Sequence, residues 1–273
     1  RPRGRPLQHQ HGRGRQVRLS ETANMRFVKM HGNGNDFVLV DLWRESVSAG
    51  PDLAREICDR HFGVGADGLV LVGPSTCADA RMLIYNSDGS EAEMCGNAIR
   101  CVAKYCFDLG IHAGAELRVE TKAGVKRITM TSAGGRMVSA CVDMGAPRLA
   151  RADIPMRGQA AEQCVDEPFE VAGHHYARTC VNMGNPHCVL FTPSVDSVDL
   201  AALGPAIETH PDFPQRTNVH FAQVLDKQSV RVVTWERGAG ATLACGTGAA
   251  AVAVAGAVTG RTGRKVSVRQ PGG

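Results

Sequence analysis

The chain repeats itself. Gly34-Asn35-Asp36-Phe37-Val38-Leu39-Val40 is echoed by Gly184-Asn185-Pro186-His187-Cys188-Val189-Leu190. Tyr85-Asn86 precedes Met94-Cys95-Gly96-Asn97-Ala98, as Trp235-Glu236 precedes Ala244-Cys245-Gly246-Thr247-Gly248. Asn35 and Asn185, Asn86 and Glu236, and Cys95 and Cys245 each stand 150 residues apart. Three matches at one offset signify duplication of a single unit. Such a chain is expected to fold into two similar halves about a pseudo-twofold axis.

Within the first unit, Phe37–Asp41, Leu69–Val72 and Arg81–Tyr85 alternate or run apolar as strands do. Pro51–His61 reads as a helix with proline in its first turn. Ala98–Leu109 has helical apolar spacing and is stopped by Gly110. Glu116–Glu120, Val125–Thr131 and Met137–Met144 complete the strands. The second unit follows with strands Asn218–Val224 and Ser229–Trp235 and a helix from Gly246 to Val258. The expected fold class is α+β: two pseudo-twofold-related domains, each a mostly antiparallel sheet wrapped on a central helix. The expected domains are 25–143 and 144–273, after a basic extension, 1–24, that reads as disordered.

Charge and composition remove several function classes. The formal net charge is +4, but six arginines and no acid lie in residues 1–18, so the rest is slightly acidic. That is no nucleic-acid-binding surface by charge. No apolar run approaches the roughly 18 residues of a membrane span, and the N-terminal stretch lacks the apolar core of a secretory signal. The ten cysteines show no CxxC and no zinc-ribbon spacing, so thiols in the cytoplasm are expected rather than a disulfide framework or a metal site. No cofactor-binding motif is present. A small-molecule substrate is the expected partner, with no nucleic acid and no membrane; a homodimer is left open.

Cys95 and Cys245 each precede a glycine where a turn becomes a helix. A helix start presents unpaired amides and the positive end of the dipole, which is expected to depress a thiol pKa. Glycine lets a ligand approach the backbone. Two such thiols facing each other across an axis supply a base on one face of a carbon and an acid on the other, the need of racemisation. Converging helix starts would stabilise a carboxylate at that carbon. Cys58, Cys77, Cys101, Cys106, Cys141, Cys164, Cys180 and Cys188 lack this setting and read as core or surface residues.

The longer motifs are specific. Met30-His31-Gly32-Asn33-Gly34-Asn35-Asp36-Phe37, Arg60 through Gly68, Asn86-Ser87-Asp88-Gly89-Ser90-Glu91, Cys95-Gly96-Asn97-Ala98, Gly184-Asn185-Pro186-His187, Arg216-Thr217-Asn218 and Glu236 through Gly248 resemble the diaminopimelate epimerase family, over about Met25 to Gly273. The resemblance implies cofactor-independent interconversion of LL-2,6-diaminopimelate and the meso form, in lysine and peptidoglycan precursor synthesis. It implies Cys95 and Cys245 as the catalytic thiols, with His187 and Glu236 as supporting polar residues. It implies backbone carboxylate sites at Gly96-Asn97 and Gly246-Thr247, and substrate-holding side chains at Asn35, Asn86, Asn185, Asn218, Glu236 and Arg237. Arg237 suits the distal carboxylate of the substrate so implied, since a carboxylate takes a bidentate guanidinium. There are two departures. Gly68 stands where some members carry a substrate-contacting glutamine, and the family continues beyond Gln270-Pro271-Gly272-Gly273 with strands returning to the first half. The rival readings are a proline-type two-thiol racemase and, further off, a thiol redox or metal-binding protein.

Overall fold

A computed structural model describes residues 25–47 and 50–273; the expected basic extension lies outside the described residues. Two sheets carry the chain. The first holds β1 (Val28–Gly32), β2 (Asn35–Asp41), β3 (Gly68–Gly73), β4 (Ala80–Asn86), β5 (Glu91–Ala92), β6 (Glu116–Thr121), β7 (Gly124–Ala133) and β8 (Arg136–Val142), in the order β1-β2-β3-β4-β6-β7-β8 with β5 beside β4. The second holds β9 (Glu167–Val171), β10 (His174–Asn182), β11 (Pro186–Phe191), β12 (Asn218–Asp226), β13 (Ser229–Glu236), β14 (Gly240–Thr242) and β15 (Ser267–Arg269), in the order β14-β13-β12-β11-β10-β9 with β15 on β13.

Pairings are mostly antiparallel. The exceptions are β2 with β3, β4 with β6, β11 with β12 and β13 with β15. Each parallel pair is bridged by a helix, as parallel crossovers require. These helices are α1 (Gly50–Ile57), α2 (Gly96–Asp108), α3 (Leu200–Glu208) and α4 (Gly246–Val258). The repeat is therefore structural: β3 and β12 start 150 residues apart, as do α2 and α4.

Both faces of each sheet are covered, so the central strands are apolar throughout rather than alternating. In β2, Phe37 and Leu39 pack toward α2, while Val38 and Val40 pack toward α1. The first sheet curls until its far edge also meets α2: Lys104 Nζ donates to the Met137 carbonyl at 2.9 Å, and Asp108 Oδ1 accepts from Met137 N at 2.9 Å. In the second half Ala251, Val252 and Ala255 of α4 pack on Val181, Val189, Ala222 and Val232. Leu203 and Ile207 of α3 cover the other face with Leu190 and Phe221.

The structure trims the expected helix Pro51–His61, since α1 ends at Ile57. Asp59 Oδ1 accepts the amides of His61 and Phe62 at 2.7 and 2.8 Å, turning the chain away. Strand β8 ends at Val142, short of the expected Met144. The α3 helix and β9 have no counterpart in the sequence reading. Among the described residues no helix is long and apolar enough to cross a membrane.

Candidate active site

Cys95 and Cys245 are the residues that cap α2 and α4, both in extended backbone (φ −136° and −123°). Each sulfur lies beside the first amides of its helix, those of Asn97 and Ala98 for Cys95 and that of Gly248 for Cys245. The two helix starts abut. A methyl on Gly96 would lie 3.4 Å from the Gly246 Cα, and one on Gly246 would lie 3.2 Å from the Gly96 Cα. Asn97 Nδ2 crosses to the Ala244 carbonyl at 3.0 Å, binding the first helix start to the residue before the second cysteine. Gln270 Oε1 accepts Cys245 N at 2.7 Å, and the turn it opens returns Gly272 N to the Leu243 carbonyl at 2.8 Å.

The thiols are enclosed. Cys245 is 5% exposed and Cys95 is half-buried. The sequence argument expects depressed thiols; the structure reverses that. Burial pushes Cys95 up to about 11, against the amides of Ala98 and Asn97, and Glu236 adds to the rise. Burial and then the Glu236 carboxylate push Cys245 well above the ordinary thiol range, against Thr247 and the Gly248 amide. Helix-start amides do reach both sulfurs, but desolvation of a sulfur anion beside a carboxylate outweighs them. Burial likewise raises Glu236, while its hydrogen bonds from Thr242 and Cys245 pull the other way; Thr242 Oγ1 donates to Glu236 Oε1 at 2.6 Å.

The asparagines divide into two kinds. Asn35 follows the Asn33-Gly34 turn, whose residues both have positive φ (54° and 81°) as a tight hairpin demands. Its Oδ1 accepts from Cys95 Sγ at 3.8 Å, and its Nδ2 donates to Asp67 at 2.8 Å. Asn185 is half-buried beside His187. Asn86 is exposed, with Nδ2 on Ser90 Oγ at 3.0 Å. Asn218, by contrast, spends both ends on the protein: Nδ2 donates to the Pro186 carbonyl at 2.8 Å and Oδ1 accepts Arg237 N at 3.0 Å. Asn97 is similarly committed, with Oδ1 on Arg100 at 2.6 Å. Arg237 is exposed, touches the Gln215 carbonyl at 3.3 Å, and has no acidic partner among the described residues. His187 is fully buried, with both ring nitrogens bonded, to Asn185 and to His220.

Sequence reasoning missed Asp67, Glu208, His220 and Gln270. Glu208 ends α3 and accepts Trp235 Nε1 at 2.7 Å and Gly238 N at 3.0 Å, anchoring the turn that carries Glu236 and Arg237. Asp67 stood inside a quoted motif but without a role. The Gly68 departure has a local reason, since a Cβ there would lie 2.8 Å from the Tyr85 carbonyl. The eight other cysteines are free thiols, buried except for Cys77 and Cys141. Among the described residues no three His, Cys, Asp or Glu side chains are grouped to hold a metal ion.

Two like sheets, each packed on a helix that starts at a cysteine, with the two helix starts in contact at Gly96 and Gly246, define a duplicated α+β fold. Solved structures share it: a probable proline racemase from Agrobacterium radiobacter K84 (TM-score 0.66, 17% identity, 88% of this chain and 78% of that one) and a hydroxyproline epimerase from Agrobacterium vitis (TM-score 0.64, 17% identity, 87% and 78%). The diaminopimelate epimerase family model matches residues 27–150 and 179–273. The diaminopimelate epimerase of Moorella thermoacetica is 55% identical over 250 residues, covering 91% of this chain and 89% of that one; that of Methanococcus maripaludis is 46% identical over 249 residues, covering 91% and 90%. The chain belongs to the diaminopimelate epimerase family.

Proposed function

We propose that this chain interconverts LL- and meso-2,6-diaminopimelate, with Cys95 and Cys245 as the two bases, in the cytoplasm. The observation that carries the reading is the meeting of two cysteine-capped helix starts at Gly96 and Gly246. A substrate carboxylate seated there takes amides from both helices, and its α-carbon lies between the sulfurs. One sulfur, as thiolate, removes the α-proton while the opposite thiol delivers one to the other face. Amides from both starts spread the negative charge that develops on the carboxylate side.

Free thiols with raised pKa need a nearby proton acceptor. Glu236 is placed for this beside Cys245, and Asn35 Oδ1 orients the Cys95 S–H. Arg237 and Asn86, both exposed, suit a distal carboxylate and ammonium. Asn218 acts by holding the Arg237 backbone N–H and His187 by holding Asn185, since their own polar atoms are occupied. The ten cysteines, all free, fit a reducing compartment.

Incubation with LL-diaminopimelate in D2O should place deuterium at one α-carbon, without added pyridoxal phosphate and after exhaustive chelation. Cys95→Ala and Cys245→Ala should each abolish epimerisation with the melting temperature kept. Exchange into proline instead, or full activity in either alanine variant, would overturn the reading.

A further inference from the structure

Asn35 and Asn185 are equivalent by the repeat, yet they are held in opposite senses. Asn35 gives its Nδ2 to Asp67 and turns Oδ1 inward. Asn185 presents Oδ1 to His187 Nε2 at 2.7 Å. That contact fixes a series of protons. Oδ1 can only accept, so His187 carries its hydrogen on Nε2 and has a bare Nδ1. This nitrogen lies 2.8 Å from His220 Nε2, which must therefore donate. His220 Nδ1 is then bare and accepts from Thr234 Oγ1 at 2.9 Å.

The relay stands where the other half has apolar core. One repeat earlier, His187, His220, Thr234 and Gly248 correspond to Phe37, Val70, Ile84 and Ala98, all buried and apolar. Four neighbouring positions have changed character together in one half only. Gly248 makes the room, because a Cβ there would lie 2.2 Å from His220 Cε1. Both rings are fully buried, and burial holds His220 down at about 3 and His187 well below the usual range. A buried polar chain costs stability unless every member is satisfied. Here each ring nitrogen has a partner, and the chain ends at the half-buried Asn185.

We propose that His220 is a positioning residue for the substrate site: through His187 it locks the Asn185 amide with Nδ2 turned to the cleft, as a donor pair for a substrate carboxylate. This rests on the reading of Asn185 as a substrate contact. Among the described residues nothing else takes the Nδ2 hydrogens, and the side chain is half-buried. Without the His220 donor, His187 is free to carry its hydrogen on Nδ1. The Asn185 amide can then rotate and offer a carboxylate an oxygen.

The test pairs His220→Leu, which keeps bulk but cannot donate, with His220→Gln, which can donate to His187 and accept from Thr234. Nitrogen-15 spectra of histidine-labelled protein should show both buried rings as Nε2–H tautomers in wild type and in a neutral form from pH 8 to pH 5. In His220→Leu the His187 signals should move toward the other tautomer; in His220→Gln they should stay. With LL-diaminopimelate, His220→Leu should raise KM about tenfold with kcat nearly unchanged, and His220→Gln should restore KM. A wild-type His187 carrying its hydrogen on Nδ1, or an unmoved His187 in His220→Leu, overturns the proposal. If wild type fails to turn over diaminopimelate, the substrate reading falls while the tautomer spectra still decide the relay.

Discussion

At the scale of single residues, the thiols show how two physical effects oppose each other at one atom. Position in the sequence reveals the helix start and its amides; it does not reveal how far the sulfur is removed from water or that Glu236 lies beside it. The resting thiols are therefore protonated, and their reactivity should follow the small thiolate fraction. Alkylation of Cys95 by iodoacetamide in substrate-free protein should be slow at pH 7 and accelerate about tenfold per pH unit up to about pH 9. Fast labelling independent of pH would show that the helix amides win. Cys101 sits in the α2 core and is 4% exposed, so Cys101→Ala should leave kcat intact while costing about 1 kcal/mol in denaturant melts through the small cavity. The cysteines, Asn35, Asn185 and Arg237 were legible because their neighbours repeat or form long motifs. His220 was not: within Asn218–Val224 it reads as one more residue of a buried strand, and only the fold brings it to His187.

At the scale of elements, the strands and the two central helices were legible because their apolar periodicity is strong and duplicated. The α3 helix was not. Its sequence is apolar on most sides and carries Pro205 inside, so it has neither a clear stripe nor an uninterrupted run. Its importance lies at its end, where Glu208 holds the Trp235 and Gly238 nitrogens. Glu208→Ala leaves these donors without a partner and should cost roughly 2–4 kcal/mol and raise KM by loosening the Glu236–Arg237 turn. Wild-type stability and KM together would remove that role. The α4 start makes a second case. Alanine for glycine inside an exposed helix is worth about 1 kcal/mol in propensity, yet Gly248→Ala should be destabilising by about 1–3 kcal/mol, because the methyl meets a His220 ring bonded on both sides. A stabilised Gly248→Ala would mean the ring can move aside.

At the scale of the whole molecule, buried neutral histidines couple stability to pH. Their folded pKa lies below the unfolded value of about 6.5, so the unfolded chain binds more protons as pH falls. Stability is fully present above 6.5 and declines below it by about 1.4 kcal/mol per pH unit for each ring. The Asp36 window is separate. Burial opposes its ionisation, but Arg60 and Lys29 prevail and hold the carboxyl below its usual range, so its contribution is lost only below the ordinary aspartate value of 3.8. Chemical denaturation between pH 7 and 4.5 should show the histidine slope, and His220→Gln should roughly halve it; an unchanged slope would assign the loss elsewhere. The glycine contact between the helix starts has a mechanical consequence. Two large bodies built from fifteen strands would ordinarily accumulate small packing errors across their width, and the gap between two groups mounted on them would inherit the total. Here the gap is gauged where backbone rests on backbone one residue from each sulfur, so errors made elsewhere in either half are not carried to it. Gly96 and Gly246 work as a hard stop, and a mutation deep in either sheet can soften the protein while leaving the spacing of the thiols unchanged.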